Sequence, residues 1–358
     1  MSHAPWYSAS VIKIDNTKAG AVVILACDVG GTKTDLAFLE LSETGLRMTR
    51  RETYRSEQHA SLDEIVTSFV GPSPPRLAAA GFGIAGPVLA GQVRTTNLPW
   101  IVDGARLARA LRLGRVSLLN DVEAQAWSTL RLDARDQLTL QAGTPDAGNI
   151  AVIAAGTGLG CAALVRGDGP VRSLASEGGH GDFSPSNDAE IELLRSLWER
   201  HGHVSVERVV SGPGVFKIYE FLRDRDRGAE PEWLTAALER GDPTAAVAHA
   251  AVEGRCALAE RAVLLFLGAY GAETGNWALR TMATGGVWLG GGVARKLLVG
   301  PKGTPDAWRI RARKVFLTRF RDKGRLSSIL DAIPVQLILN DEASLLGAAH
   351  FALLEAGR

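Results

Sequence analysis

Two kinds of hydrophobic pattern alternate along this chain. Short continuous apolar runs are bounded by Gly, Asp and Thr, and longer segments carry apolar residues at helical spacing. Ala21-Val22-Val23-Ile24-Leu25-Ala26-Cys27 is a run of the first kind. It stops at Asp28 and predicts a strand buried on both faces. Val29-Gly30-Gly31-Thr32-Lys33 reads as a turn, and Thr34–Leu41 alternates well enough for a returning strand. The unit recurs. Ile150-Ala151-Val152-Ile153-Ala154-Ala155 is apolar, Gly156-Thr157-Gly158-Leu159-Gly160 is a turn, and Cys161–Val165 returns, closed by Arg166-Gly167-Asp168-Gly169. A strand–Gly/Thr turn–strand unit that appears twice predicts two related halves.

Between and after these units, strands are expected at Leu77–Phe82, Val116–Leu119, Val287–Leu289 and Pro334–Leu339. Helices are expected at Leu107–Leu113, Glu123–Leu130, Pro213–Arg223, Trp233–Glu239 and Ser344–Glu355, with two long ones inside Pro243–Met282. Another follows Asp188 as N-cap, with Ile191, Leu194, Leu197 and Trp198 at helical spacing. Strands alternating with helices in both halves argue for an α/β protein.

At 358 residues the soft expectation is two domains. Hydrophobic residues make up 46% and charged residues 22%, which excludes wholesale disorder. The net charge of +1 removes the electrostatic case for nucleic acid or an anionic membrane as main partner. Cys27, Cys161 and Cys256 are scattered and odd in number, so neither a disulfide framework nor a Cys-based zinc site is expected, and a cytoplasmic location fits. Residues 1–20 lack the apolar core of a signal peptide and read as a loose tail. The longest apolar stretches, such as Ala262–Ala272, are too short to span a bilayer.

The chemistry sits in the Gly-rich loops and in the polar residues at strand ends. In Asp28-Val29-Gly30-Gly31-Thr32-Lys33 the glycines would let backbone N–H groups reach phosphate oxygens, and Thr32 and Lys33 add donors. Asp28, at the carboxyl end of a buried strand, suits the Mg²⁺ side of such a phosphate. The bland reading is a tight hairpin. Gly156-Thr157-Gly158 repeats the device. Gly81-Phe82-Gly83-Ile84-Ala85-Gly86 formally matches a dinucleotide fingerprint, but Pro87 follows where a helix should open, and a hinge is the better expectation. Gly285–Val293 packs five glycines around Val287-Trp288-Leu289, which suits close approach of a flat ligand such as adenine or a helix–strand crossing.

Asn120-Asp121 ends a strand at the edge where α/β proteins bind ligands; Asp121 could take a proton from a hydroxyl, or either residue could cap the next helix. Ser176-Glu177-Gly178-Gly179-His180-Gly181-Asp182 gathers carboxylates and an imidazole on a glycine loop, a pattern that suits adjacent sugar hydroxyls. Glu207 reads by itself as a helix cap or salt-bridge partner.

Taken together these segments resemble the bacterial glucokinase family, within the hexokinase–actin-like sugar kinase superfamily. The resemblance is carried by Asp28–Thr32, Leu119–Asp121, Gly156–Gly160, Glu177–Phe183, Glu207–Gly214, Gly285–Val287 with Gly290–Gly292, and Leu345–Ala349, in the family's order from Ala21 to the C-terminus. It implies a two-domain actin-like ATPase (duplicated ribonuclease H-like) fold with a cleft between the domains. The expected division is a small domain over 21–130 plus 342–358 and a large one over 131–341. It further implies ATP-dependent phosphorylation of glucose at O6, with Asp121 as general base and Asn120, Asp121, Glu177, His180 and Glu207 on the sugar. Asp28 would serve Mg²⁺ through water. Gly30, Gly31, Thr32, Lys33, Gly156, Thr157 and Gly158 would hold the phosphates of ATP, and Gly290, Gly291 and Gly292 the adenosine. The cysteine-rich zinc motif of the related repressor–ORF–kinase group is missing, which points to the zinc-free glucokinases. The expected assembly is a homodimer. A kinase of mannose, fructose or an amino sugar, an actin- or chaperone-like ATPase, and a silent sugar sensor remain the competing readings.

Overall fold

The first apolar run forms β1 (Val23–Val29), which turns through Gly30–Thr32 into antiparallel β2 (Lys33–Ser42). The computed structural model describes residues 22–43, 45–95, 97–144, 146–226 and 230–357, and the expected tail at 1–20 lies outside the described residues. β3 (Gly45–Arg55) extends the meander beyond β2 and leads to α1 (Leu62–Val70). β4 (Leu77–Ile84) lies parallel to β1. A small separate sheet of β5 (Val88–Leu89), β6 (Gln92–Arg94) and β7 (Ile101–Asp103) precedes α2 (Gly104–Ala110). β8 (Ser117–Asn120) then completes a five-stranded sheet ordered β3-β2-β1-β4-β8, and α3 (Asp121–Ser128) follows it directly.

Strand geometry explains why β1 is apolar throughout. Successive side chains point to opposite faces, and both faces of this sheet are covered. Ile24 and Ala26 pack with Ala37 and Leu39 of β2 against the C-terminal helix, whose Leu345, Ala349, Ala352 and Leu353 face them. Leu25, Cys27 and Val29 turn the other way, onto Leu62, Ile65 and Phe69 of α1 and Leu107 of α2.

The second half repeats the plan. β9 (Gln137–Gln141) comes first, then β10 (Ile150–Ala155) hairpins into β11 (Leu159–Val165) and on to β12 (Arg172–Ser176). Four helices follow: α4 (Asp188–His201), α5 (Val206–Val209), α6 (Gly212–Asp226) and α7 (Glu232–Arg240). α8 (Pro243–Val252) and the 25-residue α9 (Ala257–Thr281) are the pair expected in the Ala/Leu-rich stretch. β13 (Gly286–Gly290) adds parallel to β10, then α10 (Gly292–Leu298), α11 (Asp306–Arg321), α12 (Ser327–Ala332) and β14 (Val335–Ile338). The sheet order is β12-β11-β10-β13-β14-β9. Its first five positions match the first sheet strand for strand, a hairpin followed by two parallel additions, so the repeated turn marks a duplicated fold. α13 (Ala343–Ala356) closes the chain. The chain clusters into two compact units: one runs to Ala134 and takes in Ser173–Ala175 and Asn340–Arg358, and the other spans Arg135–Arg172 and Ser176–Leu339.

The hinge expected at Gly81–Pro87 is corrected. Gly81–Ile84 is the buried middle of β4, paired in parallel with β1 on one side and β8 on the other. No helix opens after it, so the dinucleotide reading fails too.

Against α3, α13 carries a buried histidine with a consequence for acid stability. His350 is 4% exposed, packs edge-on against Trp127 with ring centroids 5.8 Å apart, and has Arg131 Nε 3.3 Å from its Nε2. Burial first, and then the Arg131 charge, lower its pKa from 6.5 to about 4. The unfolded chain therefore takes up this proton before the folded one does, and stability falls as pH drops from about 6.5 towards 4. The full linkage is worth up to about 3 kcal/mol. Urea unfolding of wild type and His350→Gln at pH 7 and pH 5 checks it: the variant's loss over that interval should be smaller by about 1–2 kcal/mol. Equal losses would remove His350 as the acid-sensitive group.

Candidate active site

Each Gly/Thr turn sits at the end of a central strand in its own unit. In the first, the Gly30 N–H donates to the Lys33 carbonyl at 2.9 Å, and Ser56 braces the turn by donating its Oγ to the Gly30 carbonyl at 2.9 Å. Thr32 and Lys33 are exposed at its tip. Period two places Asp28 on the Ile24/Ala26 face, directly opposite Asp35 across the β1–β2 pair. Asp35 is 3% exposed and held by Lys33 at 3.1 Å, Arg51 at 3.1 Å and Thr53. Burial pushes the Asp35 carboxyl up, but the hydrogen bonds from Thr53, Lys33 and Arg51 outweigh it and hold the group below its usual range.

Asn120 and Asp121 arrive at the same sheet edge because β1, β4 and β8 run in parallel, with Asp28 level with Gly83 and Gly83 level with Leu119. Asn120 is the N-cap of α3. Its Oδ1 accepts from the Val122 N–H at 3.0 Å, and its own N–H donates to Glu123 Oε2 at 3.2 Å, closing a capping box. Its amide Nδ2 reaches towards the Gly86 carbonyl at 3.4 Å. Asp121 is thus the first helical residue rather than the cap. Burial raises the Asp121 carboxyl, opposed by hydrogen bonds from the Val122 and Asp121 N–H groups. Burial, then the neighbouring Asp121 charge, raises Asp28 from 3.8 to about 7.

Two carboxylates raised together at one sheet edge mark a candidate functional site. The donor set fits Mg²⁺, which takes one or two carboxylates and completes its shell with water and substrate phosphates. Among the described residues no group of three or more His, Cys, Asp or Glu side chains is placed to hold a metal ion. The arrangement also costs stability. A carboxyl raised on folding favours the fold most below about pH 4, and that contribution is lost as pH rises through about 7. Asp28→Asn should therefore stabilise the free protein at pH 7.5 by about 1–2 kcal/mol, discounted for the access to water Asp28 keeps. That is a rise in Tm of about 2–6 °C, with phosphotransfer lost. A melting scan showing a lower Tm would contradict this.

In the second unit the turn is tied into the structure by Glu207. The Gly156 N–H donates to the Gly158 carbonyl at 2.9 Å, and the Gly212 N–H, at the start of α6, donates to the Gly156 carbonyl at 2.8 Å. Glu207 Oε2 accepts from the Leu159 N–H at 2.9 Å and lies where a Cβ at Gly158 would stand, so a side chain there would displace Glu207. The cap reading of Glu207 is replaced. Ser205 caps α5, accepting from the Arg208 N–H, which leaves Glu207 free to reach β11. Glu177 and His180 flank a 3₁₀ turn at Gly178–His180, with His180 Nε2 3.9 Å from Glu177 Oε2 and both side chains exposed. Asp182 turns away from them to His203, at 2.9 Å.

Thr157, His180 and Glu207 line one cavity of about 290 Å³ with His203, Ser205, Arg208, Ser211, Pro213 and Lys217. Sequence reasoning missed Ser205, Arg208, Ser211 and Lys217. The available signal was spacing: Pro213 and Lys217 stand one helical turn apart beside a segment already singled out. Gly290 ends β13, and Gly291 adopts φ 79° as the N-cap of α10, seated on the backbone of Ala155. Trp288 is buried in β13.

A family model described as Glucokinase matches residues 25–355. The chain is 42% identical to a glucokinase of Nostoc sp. over 347 residues, covering 91% of this chain and 98% of that protein. It is 40% identical to a glucokinase of Synechocystis sp. over 362 residues, covering 92% and 98%. A crystal structure of glucokinase from an Antarctic psychrotroph superposes with a TM-score of 0.78 at 29% identity, covering 92% of this chain and 98% of that one. The duplicated sheet is the actin-like ATPase fold of these sugar kinases. With a family match across nearly the whole chain and relatives of almost equal length, the chain belongs to the glucokinase family and is an enzyme that phosphorylates glucose with ATP.

Proposed function

We propose that Asp121 is the general base of this reaction. The observation that carries the assignment is its position: the first residue of α3, half-buried, its carboxyl raised, beside Asp28 at the carboxyl edge of the first sheet. Phosphoryl transfer has a loose transition state whose charge spreads over the γ-phosphoryl oxygens, so positioning and electrostatics dominate. Asp121 orients the 6-hydroxyl of glucose and takes its proton as the bond to phosphorus forms. Its raised pKa makes it the better acceptor. Asp28 is the residue that would hold Mg²⁺ through water, and bound Mg²⁺ would neutralise phosphate charge. Backbone N–H groups and hydroxyls at Gly30–Thr32 and Gly156–Gly158, with Lys33, receive the phosphates. Asn120, Glu177, His180 and Glu207 receive the sugar hydroxyls, and Gly290–Gly292 the adenosine.

A cytoplasmic homodimer working on small molecules, with no membrane or nucleic-acid partner, completes the reading. The net charge of +1 supports a small-molecule partner over nucleic acid; among the described residues no helix is long and apolar enough to cross a membrane. A coupled ADP-release assay with ATP and a panel of hexoses, with and without Mg²⁺, tests the proposal. ADP release that depends on both glucose and Mg²⁺ is the expected result, and ATP turnover independent of sugar would overturn it.

A further inference from the structure

The cavity beside Thr157 carries more positive charge than sugar binding requires. Arg208 and Lys217 both line it, and Glu207 is the one carboxylate among its lining residues. Glu207 is engaged by the Leu159 N–H, and Arg208 spends its Nε on the His203 carbonyl at 3.1 Å. Neither cation has an ion-pair partner among the described residues. Lys217 is half-buried on α6, one turn after Pro213, and among the described residues no hydrogen bond satisfies its ammonium group. Burial lowers its pKa, and the like charge of Arg208 pushes it the same way. Glu207 and Glu220 oppose that lowering, but neither forms an ion pair with Lys217 among the described residues, and two cations in a concave site with one carboxylate in its lining make a site for an anion. The hydroxyls of Thr157, Ser205 and Ser211 on the same wall supply the uncharged donors that a phosphate also takes.

We propose that Lys217, assisted by Arg208, binds a phosphate group of the phosphoryl donor, which makes Lys217 a donor-affinity residue of this active site. The proposal rests on the glucokinase reading above. The donor is favoured over the phosphorylated sugar because Thr157, from the Gly/Thr turn, shares the cavity wall with both cations.

The test uses the full-length enzyme and the variants Lys217→Met, which keeps the aliphatic stem, and Lys217→Arg, which keeps the charge. In Lys217→Met the KM for ATP should rise about 10- to 100-fold, the worth of one charge-assisted contact. The KM for glucose and kcat should stay within about twofold, since neither the base nor the sugar contacts change. Lys217→Arg should recover most of the loss. Salt should raise the KM for ATP more steeply in wild type than in Lys217→Met, a readout that a merely structural lysine would not move. An unchanged KM for ATP in a folded Lys217→Met would overturn the proposal. So would a variant weakened only in its inhibition by glucose 6-phosphate, which would assign the site to the product's phosphate. A wild type that releases no ADP from ATP and glucose would sink the underlying reading and this proposal together, an outcome seen without any variant.

Discussion

Asp121→Asn should lower kcat for glucose phosphorylation by about 10²–10⁴, the usual worth of a positioned general base. Glucose affinity should change far less, because the amide oxygen still accepts a hydrogen bond from the 6-hydroxyl. The fold should be nearly indifferent. Had Asp121 capped α3, a stability effect could be confused with a catalytic one, but Asn120 and Glu123 form that cap and are untouched. Asp121 does lose a favourable interaction with the helix N-terminus, worth about 0.3–1 kcal/mol. Relief of the burial cost that raises its carboxyl opposes that loss. The control is Asn120→Ala, which removes the cap and should cost about 1 kcal/mol. Turnover and Tm measured on both variants separate the two roles. A folded Asp121→Asn enzyme with near-normal turnover would remove Asp121 from the chemistry.

The sequence reports some levels of this structure better than others. β1 and β10 are buried on both faces, so each shows as an unbroken apolar run with the glycines of its turn immediately after. The long α9 shows through Ala and Leu. β3 does not show, because it is a sheet-edge strand holding Arg47, Arg50, Arg51 and Arg55 on a largely exposed surface; its charges guard the edge and erase the alternation. α11, with six Arg or Lys among 16 residues, hides its buried Trp308, Ala312, Phe316 and Phe320 in a polar background. At the site, Asp28 and Asp121 are legible because each ends an apolar strand. Their electrostatic coupling is not, since it depends on β4 lying between two strands separated by about ninety positions. The role of Glu207 was obscured for a related reason: its partner is a backbone N–H on β11, and backbone donors leave no mark in a sequence.

Glucose should exceed galactose in kcat/KM by roughly 10⁴, because a site built to pair with hydroxyls rejects a ligand that leaves its polar groups unpaired. Among the proposed sugar residues, Glu207 is tied into the chain: its Oε2 accepts from the Leu159 N–H at 2.9 Å. Glu177 and His180 differ. Both are exposed, and their 3.9 Å pairing leaves each free to meet solvent until sugar arrives. Of the three, Glu207 is hydrogen-bonded to the backbone, and Glu177 and His180 are exposed. Inverting one hydroxyl strands an acceptor that binding has removed from water, at about 1–3 kcal/mol for each unpaired group, and more for a charged one. Two or three such groups suffice for the expected ratio. Glu207→Gln keeps the acceptor for Leu159 but removes the charge, so the KM for glucose should rise about 10- to 100-fold while galactose, already poorly bound, changes little. The ratio should then narrow by a similar factor. Steady-state kinetics of wild type and Glu207→Gln with glucose, galactose and mannose decide the matter: comparable wild-type efficiencies for glucose and galactose, or a Glu207→Gln enzyme with an unchanged ratio, would show that these residues do not set the choice of sugar.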